Sequence, residues 1–525
     1  MRVLVHQLVE SAADRHGTAD ALAYKDETTS YRDLWRATLS IADGLRGLGV
    51  TEQERVAVFL EKRLETVVAL FGASAAGAVF VPINPLLRPH QVGYILRDCG
   101  VRVLVTSPER LDALAEELDS CPDLHTVVIV GNRDVSGPRP VVSWDEIMTG
   151  DEAREPARSI DTDMAAILYT SGSTGTPKGV VLSHRNLVQG AESVSDYLAN
   201  NSEDRILALL PLSFDAGLSQ VTTGFNVGAK VVLMNYLIPR DVVKTCARHG
   251  ITGLTCVPPL WFKLAAEEWP EDVGSGLRYF ANTGGHMPQP LLDSLRQTFP
   301  RAKPYLMYGL TEAFRSTYLD PAEIDRRPDS VGKAIPNAEI LIVGEDGEEC
   351  PPGETGELVH RGALVSLGYW NAPEQTALRF KPAPGRSEEL PLTEMAVWSG
   401  DLARKDEDGF IYFVGRSDEM IKTSGYRVSP TEVEEVVLQT GLVGEAVAIG
   451  LPDLELGQTI VVVVTPTQGD GVDVDALAEE CRKTLPLYMV PRQILVTGSL
   501  PRNPNGKIDR TSLRDDLLTS GSHNG

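Results

Sequence analysis

Tyr169-Thr-Ser-Gly-Ser-Thr-Gly-Thr-Pro-Lys-Gly-Val180 follows the apolar run Met164 to Leu168, and it crowds glycines, hydroxyls and one cation into a short loop. Glycines at 172, 175 and 179 let backbone N–H groups approach phosphate oxygens closely. The hydroxyls of Thr170, Ser171, Ser173, Thr174 and Thr176 add donors, and Lys178 adds positive charge. A nucleotide triphosphate fits such a loop, with Thr170, Ser171, Gly172, Ser173, Thr174 and Gly175 around its phosphates. The loop is not a Walker A motif, because Lys178 stands between Pro177 and Gly179; the Gly-Lys pair and the magnesium-binding Ser/Thr are missing. A flexible Gly/Ser linker would need neither the lysine nor the preceding strand.

On both sides of this loop, short β-branched stretches alternate with amphipathic ones: Arg55 to Leu60 before Leu64 to Ala75, Val101 to Thr106 before Glu109 to Leu118, and Lys230 to Met234 before Arg240 to His249. The alternation predicts an α/β protein of parallel, helix-covered sheets. From about Pro336 the texture turns to short strands and turns such as Glu345-Asp346-Gly347 and Glu407-Asp408-Gly409, which predicts a β-rich subdomain of hairpins. After Gly415 a compact α+β unit follows. In it Ser429-Pro430-Thr431-Glu432 reads as a capping box with proline at the first helical position, opening a helix to about Gln439.

A chain of 525 residues exceeds one ordinary core. Its 73 acidic against 49 basic residues give a net charge of -24, which repels nucleic-acid phosphate and anionic lipid, so neither is expected as a partner. Met1 to Gly17 lacks the pattern of a signal peptide, and no apolar run approaches the roughly 20 residues that span a bilayer. A cytoplasmic location without membrane insertion is the expectation. The six cysteines show no metal-ligand spacing and read as reduced core thiols.

The loop resembles the signature loop of the adenylate-forming superfamily, which contains acyl-CoA synthetases, nonribosomal-peptide adenylation domains and firefly luciferase. Similar segments follow in order: Tyr308-Gly-Leu-Thr-Glu312, Gly368-Tyr-Trp-Asn-Ala-Pro-Glu-Gln-Thr376, Ser399-Gly-Asp-Leu402, Gly415-Arg-Ser-Asp418, Lys422-Thr-Ser-Gly-Tyr-Arg427 and Pro501-Arg-Asn-Pro-Asn-Gly-Lys507. The resemblance covers nearly the whole chain, and its texture is most like that of exosortase-associated AMP-forming acyl-CoA ligases. It implies a large N-terminal domain, residues 1–415, with the ATP and acid sites, and a small mobile C-terminal domain, residues 416–525, that rotates between two half-reactions.

Forming an acyl-AMP needs charge neutralisation around the phosphates rather than a protein nucleophile. The resemblance implies that Thr311 and Glu312 sit beside the α-phosphate and Mg²⁺, Glu312 being a hard oxygen ligand suited to that ion. It implies that Asp401 accepts from the ribose hydroxyls and that Arg416 donates to ribose or phosphate. Gly284 and Gly285 would form the adenine turn, with Tyr308 stacking on the base. Lys507 would be the catalytic cation that bridges carboxylate and α-phosphate. Asp418 would be the hinge, and Lys422 and Gly425 would belong to the loop that approaches the thiol.

Pro211-Leu-Ser-Phe-Asp215 matches the segment that carries the acyl-pocket gate, with Phe214 where many relatives have histidine. Asp215 has two open readings: it pairs with a substrate ammonium, or it hydrogen-bonds the backbone or a neighbour such as Ser213. His286 either lines the acid pocket or faces solvent. Met307, Val257, Trp261 and Phe262 are candidates for apolar pocket walls. The expected activity is that of an ATP-dependent acid–thiol ligase: a small organic acid becomes an acyl-AMP and then a thioester, with CoA as acceptor. The alternatives are the phosphopantetheine of an acyl carrier protein, or a non-thiol acceptor for an unusual acid.

Overall fold

Alternate residues of strand Arg55–Phe59 belong to different cores. Val56 and Val58 join the cluster of Leu22, Leu182 and Val231, whereas Ala57 and Phe59 join that of Val79, Ile95 and Leu111. Apolar residues on both faces are what a central strand covered on both sides requires. This computed structural model describes residues 2–131, 137–148, 155–170, 177–385, 389–416, 420–467, 471–502 and 508–521, of which 416, 520 and 521 are described by backbone alone.

Among the described residues there are four sheets. The first has seven strands in the order Val141–Ser143, Thr126–Ile129, Val101–Thr106, Arg55–Phe59, Val79–Pro82, Met164–Thr170 and Lys178–Ser183. The second has nine, in the order Lys333–Ala334, Thr317–Leu319, Lys303–Tyr308, Tyr279–Asn282, Gly253–Cys256, Arg205–Ala208, Lys230–Leu233, Asp20–Tyr24 and Glu27–Ser30. One hydrophobic core joins the two and contains helices Leu64–Ala75 and Asp215–Val227, whose Phe71 and Phe225 rings meet edge to face. Helices so placed are apolar nearly all round.

The expected parallel pairing holds through the centre of both large sheets but not at their margins. Met164–Thr170 pairs antiparallel with Lys178–Ser183, as does Asp20–Tyr24 with Glu27–Ser30. Short connections leave no room for the crossover that a parallel pair needs. The phosphate loop therefore joins two strands of a hairpin.

A third sheet holds Ala338–Val343, Thr355–Gly362, Met395–Lys405, Phe380–Pro382 and Ile411–Arg416, with positive-φ glycines at the expected turns, Gly347 and Gly409. The fourth holds Ile421–Thr423, Tyr426–Val428, Glu445–Asp453, Gly457–Thr465 and Gln493–Val496, and it has a separate core around Val433, Ile460 and Leu477. Helix Pro430–Gln439 has Ser429 as its N-cap, accepting from the Glu432 N–H, with proline at the first position. Only this half of the expected capping box forms, because the Glu432 carboxylate is turned toward Gln91. All six cysteines are buried free thiols. No helix among the described residues is long and apolar enough to cross a membrane.

Candidate active site

Parallel strands deliver their C-terminal ends to one edge, and the segments leaving those ends build a common cavity. From the nine-stranded sheet come Leu210 to Ala216 after Ala208, Val257 after Cys256, Thr283 and Gly284 after Asn282, and Gly309 to Thr311 after Tyr308. Thr170 comes from the end of its strand in the other large sheet. The cavity holds about 150 Å³, and its opposite wall is C-terminal: Lys422, Gly425, Tyr426, Arg427 and Glu432.

On the nucleotide side, the Tyr308 hydroxyl donates to Asp401 Oδ2 at 2.5 Å, and the Ser399 hydroxyl oxygen accepts from the Asp401 N–H. Asp401 lies opposite Arg416 in strand register, so the backbone brings these two candidates together. The Tyr308 ring is 7% exposed and tied to the ribose candidate, which makes its hydroxyl as informative as its face.

Glu312 is 4% exposed. Its Oε1 accepts from the Tyr369 hydroxyl at 2.6 Å, while Oε2 is buried with no partner among the described residues. Burial pushes the carboxyl up, but Arg427, Tyr369 and Arg379 outweigh it and hold the group below its usual value. A buried, ionised oxygen without a partner fits a magnesium ligand. Among the described residues no group of three or more His, Cys, Asp or Glu side chains is placed to hold a metal ion; Mg²⁺ commonly keeps several waters and is held by one or two carboxylates with substrate phosphates. The Lys178 ammonium lies 5.4 Å from the centroid of the Tyr369 ring, so lysine, tyrosine and glutamate form one connected group. Tyr369 and Arg427 were missed as site residues, although both lie inside segments that carry the family resemblance.

On the acid side, Asp215 begins helix Asp215–Val227, pairs with Arg315 at 3.2 Å and accepts from the Ala216 backbone N–H, so it bonds to the backbone and to a neighbour, which is Arg315 and not Ser213. Thr311 Oγ1 adds a long contact of 3.4 Å. Burial pushes the Asp215 carboxyl up and outweighs the pull of Arg315. Phe214 meets the Tyr426 ring edge to face, with centroids 4.9 Å apart, and Tyr426 stacks on Tyr488. Three wall candidates fall elsewhere. Met307 points from its strand into the inner core, where its sulfur accepts from Tyr197 at 3.0 Å. Trp261 is fully buried against Phe280 and Phe299. His286 is exposed and lines an outer cleft instead of the acid cavity.

That cleft, about 900 Å³, runs between the two parts of the chain and shares Gly284, Lys422 and Gly425 with the acid cavity. The two glycines meet there around Val257: a Cβ on Gly425 would lie 2.9 Å from Val257 Cγ1, and one on Gly284 would lie 3.0 Å from the same atom. Gly425 also holds φ +81°, so a side chain is disfavoured twice over. Arg88 donates to the Leu485 carbonyl at 3.2 Å, and Gln91 donates to Glu432 at 3.0 Å, which fastens helix Pro89–Asp98 to the C-terminal part. Ser171, Gly172, Ser173, Thr174, Gly175, Asp418 and Lys507 lie outside the described residues, as does the Arg416 side chain.

Residues 9–370 match the AMP-binding enzyme family and residues 432–507 its C-terminal domain. The chain belongs to the AMP-binding enzyme family. Among the relatives of this AMP-binding enzyme, a long-chain-fatty-acid–CoA ligase of Salmonella typhimurium is 30% identical over 544 residues, covering 97% of this chain and 94% of the ligase. Gramicidin S synthase 2 of Aneurinibacillus migulanus is 29% identical over 521 residues, and the chain spans only 11% of that protein's length. In structure, the o-succinylbenzoate CoA synthetase of Bacillus subtilis bound with its product analogue OSB-NCoA, a double mutant, is 27% identical, covers 97% of this chain and 98% of its own, and superposes with a TM-score of 0.83. The same synthetase in complex with the acyl-adenylate intermediate, or with AMP, superposes at 0.68.

Proposed function

We propose that this AMP-binding enzyme uses ATP to convert a small organic acid into an acyl-AMP and then transfers the acyl group to the thiol of CoA. The observation that carries the thiol half is Gly425, seated against Val257 and Gly284 where the acid cavity opens into the outer cleft. A glycine-walled junction between the inner cavity and the outer cleft suits a pantetheine arm, with the bulk of CoA outside. The higher overlap with the synthetase that holds a CoA product analogue supports the same reading.

In the first step a carboxylate oxygen attacks the α-phosphorus, and the bond from that phosphorus to the oxygen bridging the β-phosphate breaks. Pyrophosphate leaves with the electron pair. Lys178 and the loop 170–175 hold the phosphates, Asp401 and Arg416 hold the ribose, the Thr311 hydroxyl donates to the α-phosphate, and Lys507 balances its charge. Glu312 would hold Mg²⁺, which supplies charge neutralisation to the polyphosphate. In the second step the thiol sulfur attacks the acyl carbon, the bond from that carbon to the AMP oxygen breaks, and the thiol proton passes to solvent. Residues 416–525 turn about Asp418 between the steps, exchanging Lys507 for Gly425 at the cavity.

Acid-dependent exchange of labelled pyrophosphate into ATP, followed by mass detection of acyl-CoA, tests the reading. Exchange without any thioester on CoA, but with acyl transfer to a purified carrier protein, would replace CoA by the carrier. The absence of exchange with every acid tried would remove the reading.

A further inference from the structure

A charge pair, Asp215 with Arg315, lines the acid cavity. Arg315 is 2% exposed. Its Nη1 donates to Asp215 Oδ2 and to Thr283 Oγ1, each at 3.2 Å, while Nε is buried with no partner among the described residues. A buried donor left unsatisfied is unfavourable unless a ligand supplies an acceptor. The backbone is bent to place it. Phe314 holds φ +56° and ψ −58°, a strained conformation for a bulky residue, and the Arg315 N–H donates to the Ala313 carbonyl at 2.6 Å across this three-residue turn. Gly309 leaves the space that the guanidinium occupies, since a Cβ there would stand 3.3 Å from Arg315 Nη1. Arg315 and Ala216 line both the acid cavity and a small cavity of about 20 Å³, and so they stand between the two.

We infer that Arg315 and Asp215 form the floor of the acid pocket and select a short acid carrying a hydroxyl or carbonyl oxygen near its far end. This rests on the proposed acid activation and adds the substrate class. Opposite charges side by side make a floor with no net charge, so a second carboxylate or an ammonium loses to one partner what it gains from the other. A neutral oxygen accepts from the Arg315 guanidinium, which lines the cavity, and a hydroxyl can also donate to Asp215. A long alkyl chain finds no exit past the pair. The cavity of about 150 Å³ also reaches Thr170, Thr311 and Asp401 on the nucleotide side, which leaves room for a short acid only.

The test is pyrophosphate exchange by wild type, Arg315→Ala and Arg315→Lys with butanoate, 3-hydroxybutanoate, succinate, 4-aminobutanoate, benzoate and octanoate. Wild type should favour 3-hydroxybutanoate in kcat/KM. Arg315→Ala should lower the ratio of 3-hydroxybutanoate to butanoate by roughly 10- to 100-fold and admit octanoate. Arg315→Lys, which keeps the charge balance if the alanine variant does not fold, should lower the ratio while octanoate stays excluded. Because each ratio is taken on one preparation, partial unfolding cancels from it. Wild-type preference for octanoate, succinate, 4-aminobutanoate or benzoate, or an unchanged ratio in folded variants, overturns this inference while acid activation stands. No exchange with any of the six overturns both.

Discussion

Glu312 presents one oxygen to Tyr369 and keeps the other buried without a partner among the described residues. Glu312→Gln nearly preserves shape but removes the anion, so pyrophosphate exchange should fall about 100-fold or more and lose its response to added Mg²⁺. Unchanged exchange would contradict the metal role. Asp215 shows how strongly burial sets the worth of a carboxylate. Asp215→Ala leaves the Arg315 guanidinium, 3% exposed, without its counter-charge, and stability should drop by about 3–5 kcal/mol. The exposed ion pair of Asp26 with Arg248 provides the contrast, since Asp26→Ala should leave the urea midpoint unmoved. At this scale the sequence revealed residue types that belong to recognisable runs, such as Thr311-Glu312 and Ser399-Gly-Asp401. Arg315 was not legible, because nothing in Ala313-Phe-Arg315 announces a positive φ at phenylalanine, and only that turn aims the arginine inward.

Helix Pro430–Gln439 carries Glu432 into contact with Gln91 on helix Pro89–Asp98. Burial at this contact pushes the Glu432 carboxyl up to about 7; Gln91 opposes the shift and Glu435 adds to it. The docked arrangement therefore binds a proton that an undocked Glu432, near its ordinary value of 4.5, would release above that pH. Docking is strongest below about pH 4.5 and weakens as pH rises through about 7. Energy transfer between dyes on the two parts should fall over that window in wild type and stay flat in Glu432→Gln. A wild-type signal insensitive to pH would contradict the linkage. Elements dominated by local pattern were legible, as with Leu64–Ala75 and Val101–Thr106, whose bounds match the expectation to the residue. The Arg88 and Gln91 contacts were not, because ordinary polar residues at a helix start give no sign of partners 397 and 341 residues away in sequence.

Across the whole molecule, one cavity is built from both parts of the chain, and on the proposed mechanism the second part presents Gly425 and Lys507 to it in turn. The arrangement seen here has Gly425 against Val257 and Tyr426 against Phe214, and the proposed thiol delivery calls for this placement. The two-part organisation was legible because the β-hairpin region gives way to a fresh capping signal at Ser429; the relative placement of the parts was not, since it depends on contacts between distant segments. The most direct test is single-turnover formation of acyl-AMP and of thioester in wild type, Lys507→Ala and Gly425→Leu, with folding checked by circular dichroism. Lys507→Ala should lose acyl-AMP formation yet convert synthetic acyl-AMP to thioester, whereas Gly425→Leu should form acyl-AMP and stall at transfer, since its side chain meets Val257 and its backbone sits at φ +81°. Equal loss of both steps in both folded variants would contradict the account.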